Sequence, residues 1–174
     1  MNKLIVCDAG PIIGLAKINC IALLEKLFKE VVIPEIVLKE CLAKPELQDA
    51  VLIQNAVDQR LLKIQKVTDA SSYIKNFPEL GLLGKGEKEA IILAKEHKAI
   101  LLIDELLGRK IAEKLYIKIV GTMGILLIGC KEGLIANIKD LKDYLNQLST
   151  KGYHLSNKIK EETLNIAKNI FLKV

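Results

Sequence analysis

GKGEKEAIILAKEHKAILLIDELLG, residues 84–108, is the stretch whose reading decides the fold. It opens with two acids near glycines, Glu87 and Glu89, and continues as an amphipathic helix. A short apolar run follows, and an acid, Asp104, stands where that run stops. The same form opens the chain, where LIVCD places Asp8 at the end of the first apolar strand. Continuous apolar strands of this kind belong to a sheet covered on both faces.

Outward from these anchors, strands alternate with helices. Pro11 suits a first helical turn, and IIGLAKI followed by NCIALLEKLF predicts two short helices with Asn19 as the cap between them. VVIP, residues 31–34, is a second strand, and Pro34 opens the helix PEIVLKECLAK, with Glu40 bordering its inward face. Pro45 breaks that helix. ELQDAVLIQNAVDQRL predicts the next one, and residues 61–67 a strand. Residues 68–83 form a polar passage punctuated by Pro and Gly. After Asp104, ELLGRKIAEKL is helical and residues 117–120 are a strand. Thr122 is then read as the cap of an apolar helix ending at Gly133.

Two amphipathic helices close the chain, the second capped by Ser156. In that second helix Ile159, Thr163, Ile166, Ala167, Ile170 and Phe171 share one stripe. The alternation predicts a three-layer α/β/α domain with a mainly parallel central sheet. Residues 1–150 would form the body and 151–174 a helical extension packed on it, one domain overall.

Composition narrows the function. The chain has 174 residues, 51% of them hydrophobic and 27% charged, so it is globular. No apolar run approaches the roughly 20 residues of a membrane span, and the first strand starts with no basic region or cleavage site before it, so a cytoplasmic protein is expected. Cys7, Cys20, Cys41 and Cys130 show no C-x-x-C spacing and are expected to be reduced and buried. His97 and His154 are the only histidines, too few for a histidine-rich metal site and poorly suited to a Ser/His/Asp hydrolase. The net charge of +5 is almost wholly lysine, with Arg60 and Arg109 the only arginines. Aromatics make up 4% and Trp is absent, so contacts to nucleic acid would fall mostly on phosphate.

The acids carry the chemistry. In open α/β sheets the ligand crevice lies outside the carboxyl ends of the strands. Asp8 and Asp104 end strands there, Glu40 lies on the helix after the second strand, and Glu87 and Glu89 begin the helix before the fourth. Carboxylates brought together repel and raise one another's pKa values, and a divalent cation removes that penalty. All-oxygen ligands favour Mg²⁺ or Mn²⁺ over zinc, and such an ion can hold a phosphodiester and activate water. Both Asp8 and Asp104 are expected in an exposed crevice. Glu87 and Glu89, two residues apart, face different ways on a helix, so both do not readily enter one site. Thr122, Arg109 and Lys85 are the candidates for contact with substrate, and His97 reads as a helix-end residue.

In order and spacing, Asp8, Glu40, GEKEAIILA, LLIDE and IVGT resemble the PIN domain, which includes the ribonuclease toxins of toxin–antitoxin pairs. The likeness is to a PIN-like branch with a GE-x-EAI helix, a D-E-x-x-GR turn and a GT-x-G helix start, and it extends to GLI at 133–135 and YHLS at 153–156. The resemblance implies acidic positions at Asp8, Glu40, Glu89 and Asp104. It departs at Glu89, where typical members carry an aspartate, and Glu87 is the other residue that could take that role. It also implies Mg²⁺ or Mn²⁺, cleavage of single-stranded RNA, a homodimer and inhibition by a small antitoxin. One competing reading is a non-catalytic PIN-like protein that binds RNA or a partner. Another is a phosphoacceptor signalling domain, for which Asp8 arrives too early. A DxD phosphatase motif and a G-x-x-x-x-G-K-[ST] loop are both absent.

Overall fold

The computed structural model describes residues 3–172. The outermost positions of the two expected units, residues 1–2 and 173–174, lie outside the described residues. Strands β1 (Leu4–Cys7), β2 (Glu30–Pro34), β3 (Lys63–Gln65), β4 (Ile100–Leu102) and β5 (Lys118–Val120) are all parallel, in the order β3-β2-β1-β4-β5. The chain winds outward from β1 to β3, then returns to the other side of β1 to place β4 and β5. The winding therefore reverses between β1 and β4, which pair with Val6 opposite Leu101 and Cys7 opposite Leu102.

The period-two alternation of the strands divides the apolar residues into two cores. Ile5, Cys7, Val31, Ile33 and Leu102 face one, and Val6, Val32, Leu101 and Ile103 face the other. The first is covered by α1 (Ala9–Lys17), α2 (Ala22–Leu27), α3 (Glu35–Cys41), α4 (Gln48–Asp58), α8 (Thr122–Lys131), α9 (Ile138–Thr150) and α10 (Asn157–Phe171). The second lies under α5 (Ala70–Asn76), α6 (Lys85–Glu96) and α7 (Leu106–Lys114). Three layers result, as the alternation of elements predicts. The four cysteines are buried and unpaired, and no helix among the described residues is long and apolar enough to cross a membrane.

Three local readings differ. The polar passage 68–83 is not irregular: Asp69 Oδ1 accepts the Ser72 N–H at 3.1 Å to cap α5, and Pro78–Leu82 is a 3₁₀ turn. Its anchors are Tyr73, Ile74, Phe77, Leu80 and Leu83, apolar side chains at uneven spacing that no single period captures. Asn19 does not cap α2; it takes the left-handed conformation, φ 56°, in the turn that joins α1 to α2. The strand expected over 61–67 narrows to β3, an edge strand whose Lys63 and Ile64 are exposed.

Ser156 caps α10 as expected, its Oγ accepting the Ile159 N–H at 3.3 Å. The apolar stripe of that helix is divided, however. Thr163 and Ala167 are buried against α8 and α9, with Ile170, Phe171 and Leu164 partly buried beside them. Ile159 and Ile166 remain 44% and 50% exposed. The small side chains at 163 and 167 let α10 settle closely, and this contact, rather than the wider stripe, sets its rotation. Ala167→Asp should therefore lower stability by about 3 kcal/mol or more, because an unpaired charge enters the core. Ile166→Lys on the outer face should change it by less than about 0.5 kcal/mol. Urea denaturation of both variants checks this; similar losses for the two would refute the assigned rotation.

Candidate metal centre at the sheet switch point

Asp8 is the residue at which β1 becomes α1. Its backbone N–H donates to the Leu102 carbonyl at 3.0 Å, extending the β1–β4 ladder by one rung. The residue is only 6% exposed, so the expected open position is corrected: Asp8 is buried where the strand passes into α1. Burial pushes the Asp8 carboxyl up to about 6. The Ala9 N–H opposes this, the charges of Glu87 and then Glu40 reinforce it, and the Gly10 N–H opposes it weakly. Among the described residues, no lysine or arginine is among the groups that set this value.

Glu40 stands near the end of α3, exposed. Its carboxylate lies on Gly86 of α6, where a Cβ would stand 2.5 Å from Oε2. Glycine at 86 thus allows α6 to begin beside that carboxylate. Glu87 Oε2 accepts the Gly84 N–H at 3.0 Å, satisfying one free donor at the start of α6. Burial raises the Glu89 carboxyl, the charges of Glu35 and Glu40 add to this, and Lys39 and Lys66 oppose it. The two glutamates therefore separate as helical spacing requires. Glu87 bears on Asp8, and Glu89 bears on α3.

Asp104 follows β4 and is bound on both oxygens. Oδ1 accepts the Thr122 N–H at 2.9 Å, and Oδ2 accepts the Thr122 hydroxyl at 2.6 Å. The Tyr153 hydroxyl also donates to Oδ2 and lies 3.1 Å from Thr122 Oγ1. Thr122 is thus the first residue of α8, with Gly121 in the capping position, and its hydroxyl serves Asp104 instead of the helix end. Gly121 has to be small, because a Cβ there would stand 2.7 Å from Asp104 Oδ1. Arg109 Nη1 donates to the Ile103 carbonyl at 2.9 Å, which ties it to the backbone beside Asp104. Lys85 is exposed at the first residue of α6. His97 ends α6 and bonds to Gln65 Oε1 at 2.9 Å.

Tyr153 is the site residue that sequence reasoning missed. It lies between α9 and α10, its ring seated on Gly14 of α1, where a Cβ would stand 2.7 Å from Cε2. Burial, and then the charge of Asp104, push its phenol well above the ordinary tyrosine value, so it stays a donor. The only signal in the sequence is its place in YHLS, and that spacing does not reveal a partner 49 residues away.

Among the described residues, no three acidic, histidine or cysteine side chains already stand close enough to hold a metal ion together. Cavity size does not locate the site either. A cavity of about 530 Å³ opens at the opposite, amino ends of β1, β4 and β5, lined by Lys3, Lys95, Lys98 and Lys118 among others. Topology and charge mark the candidate position instead: Asp8 and Asp104 follow β1 and β4, between which the winding reverses, and the charges of Glu87 and Glu40 bear on Asp8.

Fold and residues together define a class: a parallel three-layer α/β domain with acidic residues at its switch point. A family model described as a PIN domain matches residues 4–169, and the chain belongs to that family. PIN domains are typically nucleases and usually employ divalent metals. No curated protein and no solved structure matches the chain.

The two aspartates should respond oppositely to loss of charge. The folded-state value of Asp8, about 6, lies above the ordinary 3.8, so the native state binds more protons than the unfolded state between those limits. The ionised group thus lowers stability fully above pH 6, less as the pH falls, and not at all below about pH 4. In EDTA at pH 7.5, Asp8→Asn should gain roughly 2 kcal/mol, a gain that shrinks on acidification. Asp104→Asn presents an amide N–H to a donor and should lose about 1–3 kcal/mol. Thermal unfolding across pH checks both signs.

Proposed function

We propose that this PIN domain is an endoribonuclease that hydrolyses single-stranded RNA with the help of Mg²⁺ or Mn²⁺, as the toxin of a toxin–antitoxin pair. The observation that carries the reading is Asp8. It is a buried carboxyl flanked by the charges of Glu87 and Glu40, without a cation among the groups that set its acidity. The donor set is all carboxylate oxygen, which fits a hard divalent cation. Asp8, Glu40, Glu87 and Asp104 would hold it, the exposed Glu40 and partly exposed Glu87 turning inward, with Glu89 flanking from the α3 side. Such an ion neutralises a phosphodiester and lowers the pKa of a bound water.

The chain's own residues supply position. Asp104 is held by Thr122 and Tyr153. Asp8 is held by the β1–β4 ladder. Lys85, exposed at the start of α6, is free to meet phosphate, whereas Arg109 is partly committed to the Ile103 carbonyl. A homodimer, a small antitoxin and a cytoplasmic location belong to the same reading and rest on the family likeness. Ile159 and Ile166 on the outer face of α10 are apolar surface available to such a partner.

The test is cleavage of single-stranded RNA with Mn²⁺ and with EDTA. Cleavage is expected only with the metal, and Asp8→Asn should lower it at least about 100-fold, the scale lost with one preorganised charge partner. Glu87→Gln should cost more than Glu89→Gln, because Glu87 is the glutamate of α6 whose charge reaches Asp8. This reverses the order that the family's third acidic position implies. A more severe Glu89→Gln defect would restore Glu89 to the third acidic position. RNA binding without cleavage would replace the nuclease by a non-catalytic binder.

A further inference from the structure

We propose that Tyr153 is a positioning residue for Asp104: with Thr122 it occupies Oδ2 and leaves Oδ1 to meet the cation, so that Asp104 binds through one oxygen. The inference rests on the cation reading above and adds a residue that no acidic pattern contains. A carboxylate oxygen has two lone pairs to offer. Oδ2 spends both, one on the Thr122 hydroxyl and one on the Tyr153 hydroxyl. Oδ1 receives only the Thr122 N–H, so one lone pair remains.

The phenol is held from behind. Its ring rests on Gly14, in the middle of the helix that begins at Asp8. The segment carrying it is fastened to the end of that helix by two lysines. Lys17 Nζ donates to the Lys151 carbonyl at 2.8 Å, and Lys151 Nζ donates to the Lys17 carbonyl. One rigid element, α1, thus starts at one aspartate and seats the group that orients the other. Neither Glu40 nor Glu87 has a comparable clamp: the Glu87 carboxylate accepts a single backbone N–H, and the Glu40 carboxylate takes part in no hydrogen bond among the described residues.

Tyr153→Phe keeps the ring on Gly14 and removes only the donor. Partners of ligating carboxylates typically contribute 10–100-fold to metal affinity, so the Mg²⁺ Kd of the full chain should rise about 10-fold or more. With one lone pair of Oδ2 freed while the Thr122 hydroxyl keeps the other, Asp104 can chelate through both oxygens. Ca²⁺ accepts such geometry and Mg²⁺ does not. The Ca²⁺ affinity should therefore fall less than the Mg²⁺ affinity, and the ratio of the two is the signature of orientation. Leu148→Val loosens the same α9 core without touching Asp104 and should leave both values within about twofold of the parent.

Isothermal titration of the three proteins with each ion decides the matter. Equal losses for Mg²⁺ and Ca²⁺, no loss in Tyr153→Phe, or an equal loss in Leu148→Val would each overturn the assignment. RNA cleavage plays no part in this readout. A chain that binds Mg²⁺ in this manner yet leaves RNA intact ends the nuclease reading and keeps this one. A parent chain that binds neither ion ends both.

Discussion

Asp8 gives its backbone N–H to the Leu102 carbonyl, and this rung joins two strands far apart in the chain. Without the β1–β4 pairing, Asp8 and Asp104 would lie on separate arms of the fold. The pairing is possible because β1 and β4 are apolar on both faces, so each side of the ladder is sealed by a helical layer. The burial gained there holds together a crevice whose acids repel one another. Gly86 and Gly121 do the same service at shorter range, each leaving room for a carboxylate against the backbone.

The two aspartates meet that crevice in opposite states. Asp8 is buried with the charges of Glu87 and Glu40 near it and only nearby backbone N–H groups to offset them. Asp104 is exposed at its edge but held by a backbone N–H and two hydroxyls. One is therefore electrostatically strained and the other satisfied. A cation arriving at such a pair gains energy mainly by relieving the first, and gains geometry mainly from the second.

Much of this was legible in the sequence, and the reason is the parallel sheet. Strands buried on both faces must read as unbroken apolar runs, so LIVC and ILLI announce themselves, and the acid that ends each run marks the carboxyl edge. The separation of Glu87 from Glu89 follows from helical geometry alone. What remained hidden depends on partners distant in the chain. Thr122 reads as a cap because its local setting is a cap's, and only the approach of Asp104 diverts its hydroxyl. Tyr153 carries no local sign of its role. The rotation of α10 is set by where Thr163 and Ala167 fit against α8 and α9, which the apolar stripe leaves undecided. The burial of Asp8 is hidden in the same way, because sequence shows where a strand ends but not what packs over that end.

The order in which these groups occur along the chain has a consequence for synthesis. A polypeptide leaves the ribosome amino end first, and domains fold as they emerge. Asp8, Glu40, Glu87 and Asp104 all precede Tyr153, which is the last of the site's side chains to be made. A nascent chain therefore owns every acid before it owns the phenol that grips Asp104. The same holds for any product of premature termination or proteolytic nicking that ends after Asp104 and before Tyr153. Such fragments carry the acidic motifs in full, but they lack the hydroxyl contact to Asp104 together with α10, whose Thr163 and Ala167 are buried against α8 and α9.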